Sequence, residues 1–111
     1  MLYIETDGTI RLTRGDTARL NVQITNQIGE DEYTIDANDT LTFSVKKSVS
    51  ESEYVLQKTI VGSGTFHIEP HDTSELAYGK YKYDVQLTTA GGDVYTIIEP
   101  STFELLKEVT W

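Results

Sequence analysis

The sequence predicts a single all-β domain, an antiparallel β-sandwich of about seven to nine strands. Three observations carry that expectation. Apolar and polar residues swap at every second position through most of the chain, the period of a strand with one face on a core and the other in water. Glycine-rich turn signals separate these runs, and no stretch has the longer periodicity of a crossover helix. At 111 residues the chain is too short for two independent cores, so 1–111 is expected to form one domain.

In chain order, Ile10 and Leu12 open a short alternation, and Arg14-Gly15-Asp16-Thr17 follows as a turn whose glycine is free to take positive φ. Ala18, Leu20, Val22 and Ile24 then alternate with Arg19, Asn21, Gln23 and Thr25, predicting one long strand. Leu41, Phe43 and Val45 mark another. Tyr54 to Val61 is rich in β-branched and aromatic residues without clean alternation, which suits an edge or a strand buried on both faces. Gly62-Ser63-Gly64 separates it from Phe66 and Ile68 and predicts a hairpin. Pro70 to Ala77 is the helical candidate, with Asp72 or Thr73 placed to cap it and Gly79 to end it, so at most one short turn is expected near residues 72–77. Tyr81, Tyr83, Val85 and Leu87 alternate with Lys80, Lys82, Asp84 and Gln86. A second hairpin loop, Ala90-Gly91-Gly92-Asp93, leads to a strand at Val94 to Ile98, and Phe103, Leu105 and Val109 mark the last one.

Hydrophobic residues make up 38% of the chain and aromatics 10%, enough to fold around a core. There is no cysteine, which excludes disulfides, thiolate catalysis, iron–sulfur clusters and cysteine-ligated zinc, and fits a reducing compartment. No apolar run approaches the ~18 residues that span a bilayer. Met1-Leu2-Tyr3-Ile4 gives way at once to Glu5 and Asp7, unlike a signal peptide, so a protein made and kept in a cytosol is expected. Eighteen acidic against nine basic residues give a charge of −9, which keeps the chain soluble and repels phosphate backbones and anionic membranes. Neither nucleic acid nor membrane is an expected partner.

Each candidate site has a plainer structural explanation. On a strand, His67, Glu69 and His71 would share one face and could approach a metal, but Pro70 interrupts that strand and no fourth ligand is defined; a solvated face is expected instead. Arg14-Gly15-Asp16 spells an integrin-recognised tripeptide, yet a turn needs the glycine anyway. Asn38-Asp39-Thr40 matches a glycosylation sequon and reads as the loop before Leu41. Glu30-Asp31-Glu32 with Asp36, Asn38 and Asp39 could ligate calcium, but the spaced glycine and terminal glutamate of an EF-hand loop are missing, so a solvated hairpin tip is expected. No nucleophile elbow, phosphate-binding loop or assignable acid–base carboxylate pair is found, so no enzyme, cofactor or metal is expected.

Asp72-Thr73 followed by Gly79-Lys80-Tyr81-Lys82-Tyr83 resembles the tyrosine corner of immunoglobulin-like sandwiches, with Tyr81 supplying the hydroxyl and Tyr83 standing where antibody domains place a cysteine. From Ile10 to Thr110 the chain resembles the immunoglobulin-like domain of tail and baseplate proteins of phages and prophages of Gram-positive bacteria, typified by the N-terminal domain of upper baseplate proteins. Arg14-Gly15-Asp16-Thr17, Phe43 to Lys47, Asp72-Thr73, Gly79 to Leu87, Val94 with Thr96, and Phe103 to Thr110 carry the resemblance. It implies an immunoglobulin-like fold and a non-enzymatic virion protein made in a bacterial host cytoplasm. The implied partners are other tail or baseplate proteins and further copies of the chain. Tyr3, Tyr33, Tyr54, Tyr95 and Trp111 are the candidate interface residues, since exposed aromatics are favoured at contacts. The alternative is a carbohydrate- or cell-surface-binding sandwich module, suggested by the tyrosines and acidic loops.

Overall fold

The computed structural model describes residues 2–4, 8–22, 24–25, 32–33 and 35–107. In these the strands are β1 (Leu2–Ile4), β2 (Ile10–Thr13), β3 (Ala18–Asn21), β4 (Ile24–Thr25), β5 (Glu32–Tyr33), β6 (Thr40–Lys46), β7 (Leu56–Val61), β8 (Thr65–Ile68), β9 (Gly79–Thr88) and β10 (Val94–Leu106), with one helical turn, α1 (Pro70–Thr73), between β8 and β9. The fold is all-β, as the alternation predicts. A six-stranded sheet runs β1-β2-β10-β9-β6-β7, while β3 pairs with β8 and β4 with β5.

Alternation decides which side chains meet. Leu41, Phe43 and Val45 of β6 stand opposite Leu87, Val85 and Tyr83 of β9, all turned to one face. Ile10 and Leu12 of β2 join them beside Phe103 and Leu105 of β10. The facing layer is β3–β8, which supplies Ala18, Leu20, Phe66 and Ile68 to the same core. Phe43 lies at the junction: its ring centroid is 5.7 Å from Phe66 on the opposite layer, 5.5 Å from Tyr83 and 6.1 Å from Phe103. The result is a two-layer, sandwich-like core, in which a one-residue slip of any strand would turn its apolar set out to water.

Five sequence expectations need correction. The long strand expected over Ala18 to Thr25 is divided: β3 ends at Asn21, and Ile24–Thr25 pairs with β5 instead. Buried Val22 still donates to the Gly64 carbonyl at 2.7 Å, and a Cβ on Gly64 would sit 2.9 Å from the Val22 oxygen, so the close approach needs glycine there. The Gly62 to Gly64 loop is not a hairpin, because it carries the chain from β7 in the large sheet to β8 beside β3. Gly62, at φ +71°, turns tightly against Ala37 and donates to the Asp39 carbonyl at 2.9 Å.

The segments at Val94 to Ile98 and Phe103 to Leu105 belong to one strand, β10, with register shifts between Thr96 and Ile98 and between Ile98 and Ser101. Pro100 falls in that irregular stretch, where no ladder amide is required of it. The sheet is not wholly antiparallel either. β2 runs parallel to β10, with Ile10 opposite Phe103 and Leu12 opposite Leu105, the intervening chain serving as the long crossover a parallel pair requires. Finally, the helical turn begins at Pro70 rather than near Asp72, since proline is preorganised for the first helical position. Asp72 reaches back to accept from the Glu69 amide at 2.7 Å, Ser74 closes the turn onto the Pro70 carbonyl at 3.1 Å, and Gly79, at φ +135°, opens β9. Val109 lies outside the described residues.

The Tyr81 hydroxyl donates to the Ala77 carbonyl, four residues upstream, at 2.7 Å. Two residues on, buried Tyr83 fills the interior between Phe43 and Phe103 and donates its hydroxyl to the Gly8 carbonyl.

Candidate functional site

Burying one face of the large sheet leaves the other in water. Across the middle of that outer face, Thr42 stands opposite Gln86, Ser44 opposite Asp84, and Lys46 opposite Lys82. Thr59 and Gln57 of β7 extend the first two rows. Thr42, Ser44 and Asp84 are short, and the surface dips over them between longer neighbours. Val49 and Tyr54, from the connection between β6 and β7, border one side, and Pro100 on the irregular stretch of β10 borders the other. The groove is open to solvent and measures about 270 Å³.

Its charged groups are two lysines and one aspartate. Lys46 and Lys82 are like charges directly opposite one another, an unfavourable pair unless each finds company elsewhere. Lys82 donates to the Thr102 hydroxyl at 3.2 Å, and the Lys46 ammonium lies 4.8 Å from the Tyr54 ring centroid, a cation–π distance. Burial pushes the Asp84 carboxyl up from its ordinary value, and the charge of Lys46 only partly offsets that. Gln57 donates from Nε2 to Ser44 Oγ at 3.0 Å. The floor therefore offers hydroxyls, amides and one partly desolvated carboxyl.

Of the candidate interface residues, Tyr54 is 51% exposed and borders the groove. Tyr95 is equally exposed but stands at the start of β10, outside the groove. Tyr3 and Tyr33 are placed by their backbone on β1 and β5, and Trp111 lies outside the described residues. Among the described side chains, Tyr54 and Tyr95 do not share the groove. Thr42, Ser44, Gln57, Asp84, Gln86 and Pro100 were not singled out by the sequence, because water-facing polar residues on alternating strands are unremarkable one at a time. The available signal was that the outward positions Thr40, Thr42 and Ser44 of β6 are uncharged in a chain of such high charge.

The remaining candidates serve the scaffold. His67 is exposed on β8 opposite Arg19, whereas His71 belongs to α1, so the two do not continue one strand face. His71 approaches Glu69 and Asp72 at 3.4 Å each, through different ring nitrogens. Arg14 packs 4.2 Å from the Tyr78 ring centroid and donates to the Tyr78 hydroxyl at 2.9 Å and the Leu76 carbonyl at 3.2 Å. The Asp16 amide closes onto the Thr13 carbonyl at 3.1 Å, so Arg14-Gly15-Asp16 forms the turn expected of it. Asp39 is 1% exposed, and its carboxylate accepts from the amides of Asp36 at 3.0 Å and Ala90 at 3.3 Å. It ties loops together instead of facing a solvated tip. Glu30 and Asp31 lie outside the described residues.

Fold and surface together define an all-β, sandwich-like domain with a polar groove on the outside of its larger sheet. No family model, curated protein or solved structure matches the chain.

Proposed function

We propose that the chain is an immunoglobulin-like structural domain of a phage or prophage tail or baseplate. It is made in a bacterial host cytoplasm, is incorporated into the virion, and works without catalysis, through contacts with other tail proteins and with further copies of itself. The immunoglobulin-like part of this reading is supported by strands β2-β10-β9-β6-β7 facing β3–β8, and by the Tyr81 hydroxyl bonded to Ala77 just ahead of β9. The tail or baseplate part is supported by the resemblance of the strand and turn segments between Ile10 and Thr110.

One observation carries the contact role. At the hairpin end of the outer face, Val94, Thr88, Thr40 and Val61 form a row across β10, β9, β6 and β7. Val94 is 58% and Val61 62% exposed. Large side chains left in water along an uncharged row, on a chain of charge −9, mark a surface that another protein covers. Particles purified from a host carrying the gene should contain the protein by mass spectrometry and immunogold electron microscopy. Light scattering should show self-association that a Val61→Asp, Val94→Asp double variant abolishes. A strict monomer that never enters particles would overturn the reading.

A further inference from the structure

We propose that the groove on the outer face of the large sheet is a binding site for an uncharged oligosaccharide. The inference goes beyond the virion role and does not depend on it. Thr42, Ser44 and Gln86 present hydroxyl and amide groups that both donate and accept, the pairing that sugar hydroxyls require. Tyr54 stands at the rim with half its surface in water, an aromatic platform for the C–H face of a sugar ring. Asp84 lies between them in the floor, where a sugar hydroxyl donating to its carboxylate would replace the hydration that burial removes.

Charge and size select this occupant over others. Lys46 and Lys82 outnumber Asp84 by one positive charge, but each is already engaged, by the Tyr54 ring and the Thr102 hydroxyl. An acidic polymer is repelled by the charge of −9, and a basic peptide would meet the two lysines. The groove's volume of about 270 Å³ is close to where small-ligand sites begin.

The test is an amide NMR titration of the whole protein with neutral hexose and N-acetylhexosamine tri- to hexasaccharides, beside uronic-acid oligosaccharides of matched length. Neutral sugars should shift the amides of Thr42, Ser44, Asp84 and Gln86. Affinity should fall about tenfold in Tyr54→Ala and stay unchanged in Tyr95→Ala, whose side chain lies outside the groove. Tyr54 is surface-exposed, so an unchanged spectrum elsewhere will show that the variant is folded. The proposal is overturned if no neutral sugar moves these amides up to about 10 mM, if only the acidic sugars do, or if binding survives Tyr54→Ala intact. The titration reads the groove alone and is separate from incorporation into particles.

Discussion

Lys58 is the inward-facing charge of edge strand β7, and its Nζ lies 2.8 Å from the carboxylate of Asp72 on α1. It stands opposite buried Phe43, where an apolar side chain would be the simple choice. A charge turned inward on an edge strand discourages another strand from pairing there, since docking would strand it away from water. The pair also ties the margin of the large sheet to the end of β8 through α1. The β7 edge is therefore protected against pairing with a second strand.

The first prediction concerns acid. Burial raises the Asp72 carboxyl, but the Lys58 hydrogen bond, the Glu69 amide and the charges of Lys58 and His71 outweigh it and hold it below its ordinary value of 3.8. A carboxyl lowered by folding stabilises the native state above its unfolded value, and that contribution is lost as pH falls through the lower native one. Denaturant unfolding followed from neutral pH to about pH 2 should show stability declining below about pH 4, with a shallower decline in Asp72→Asn. An identical acid limb in the variant would refute this role.

Removing the other partner tests the edge. Lys58→Met leaves Asp72 without its counter-charge and should cost about 1–2 kcal/mol, reduced from a fully buried pair because Lys58 remains partly in water. Concentration-dependent light scattering should rise as well, because the edge has lost its inward charge.

Tyr81→Phe deletes one hydroxyl and should cost about 1 kcal/mol in urea unfolding. Burial raises the Tyr81 hydroxyl above its ordinary 10.0, although its hydrogen bond to Ala77 pulls the other way. The folded state thus favours the neutral phenol: its contribution is full below pH 10 and disappears as pH climbs through the raised value. The wild type should lose stability in strong alkali more steeply than the phenylalanine variant.

Asp39→Ala strands the amides of Asp36 and Ala90 and should cost about 1–3 kcal/mol, with Asp39→Asn losing less because one oxygen remains to accept. Thermal unfolding by circular dichroism would rank the two variants, and equal melting temperatures in all three proteins would contradict the loop-tying role.

Phe43→Ala should be the most damaging of these substitutions, at about 3–5 kcal/mol, because the ring touches aromatics of both layers and neither sheet can collapse into the space it leaves. A loss below about 1 kcal/mol would show that the core repacks there.

Much of the architecture is legible because water itself sets the alternation. Leu41 to Val45 and Tyr81 to Leu87 each declare a face one residue at a time, and their mutual register follows from burying both. The partner of a strand is not declared that way. Phe66 and Ile68 identify β8, yet nothing near them reveals that β3, far back in the chain, is its neighbour and β7 is not. The union of the last two expected strands was hidden by Pro100, a residue that normally breaks a ladder and here sits where the ladder shifts. The groove was hidden for a further reason: its floor comes from alternate residues of β6 and β9, and its depth depends on Tyr54 and Pro100, which belong to neither strand.

The ladder between β2 and β10 has a consequence for synthesis. Ile10 and Leu12 pair on one side with Ile4 and Leu2 of nearby β1, but on the other with Phe103 and Leu105, some ninety residues further along the chain. During translation the emerging chain must therefore carry these two apolar side chains without their second flank until β10 has left the ribosome. Slow, late closure of this kind prolongs the interval in which sticky intermediates can find one another, making chaperone protection most valuable until β10 has docked.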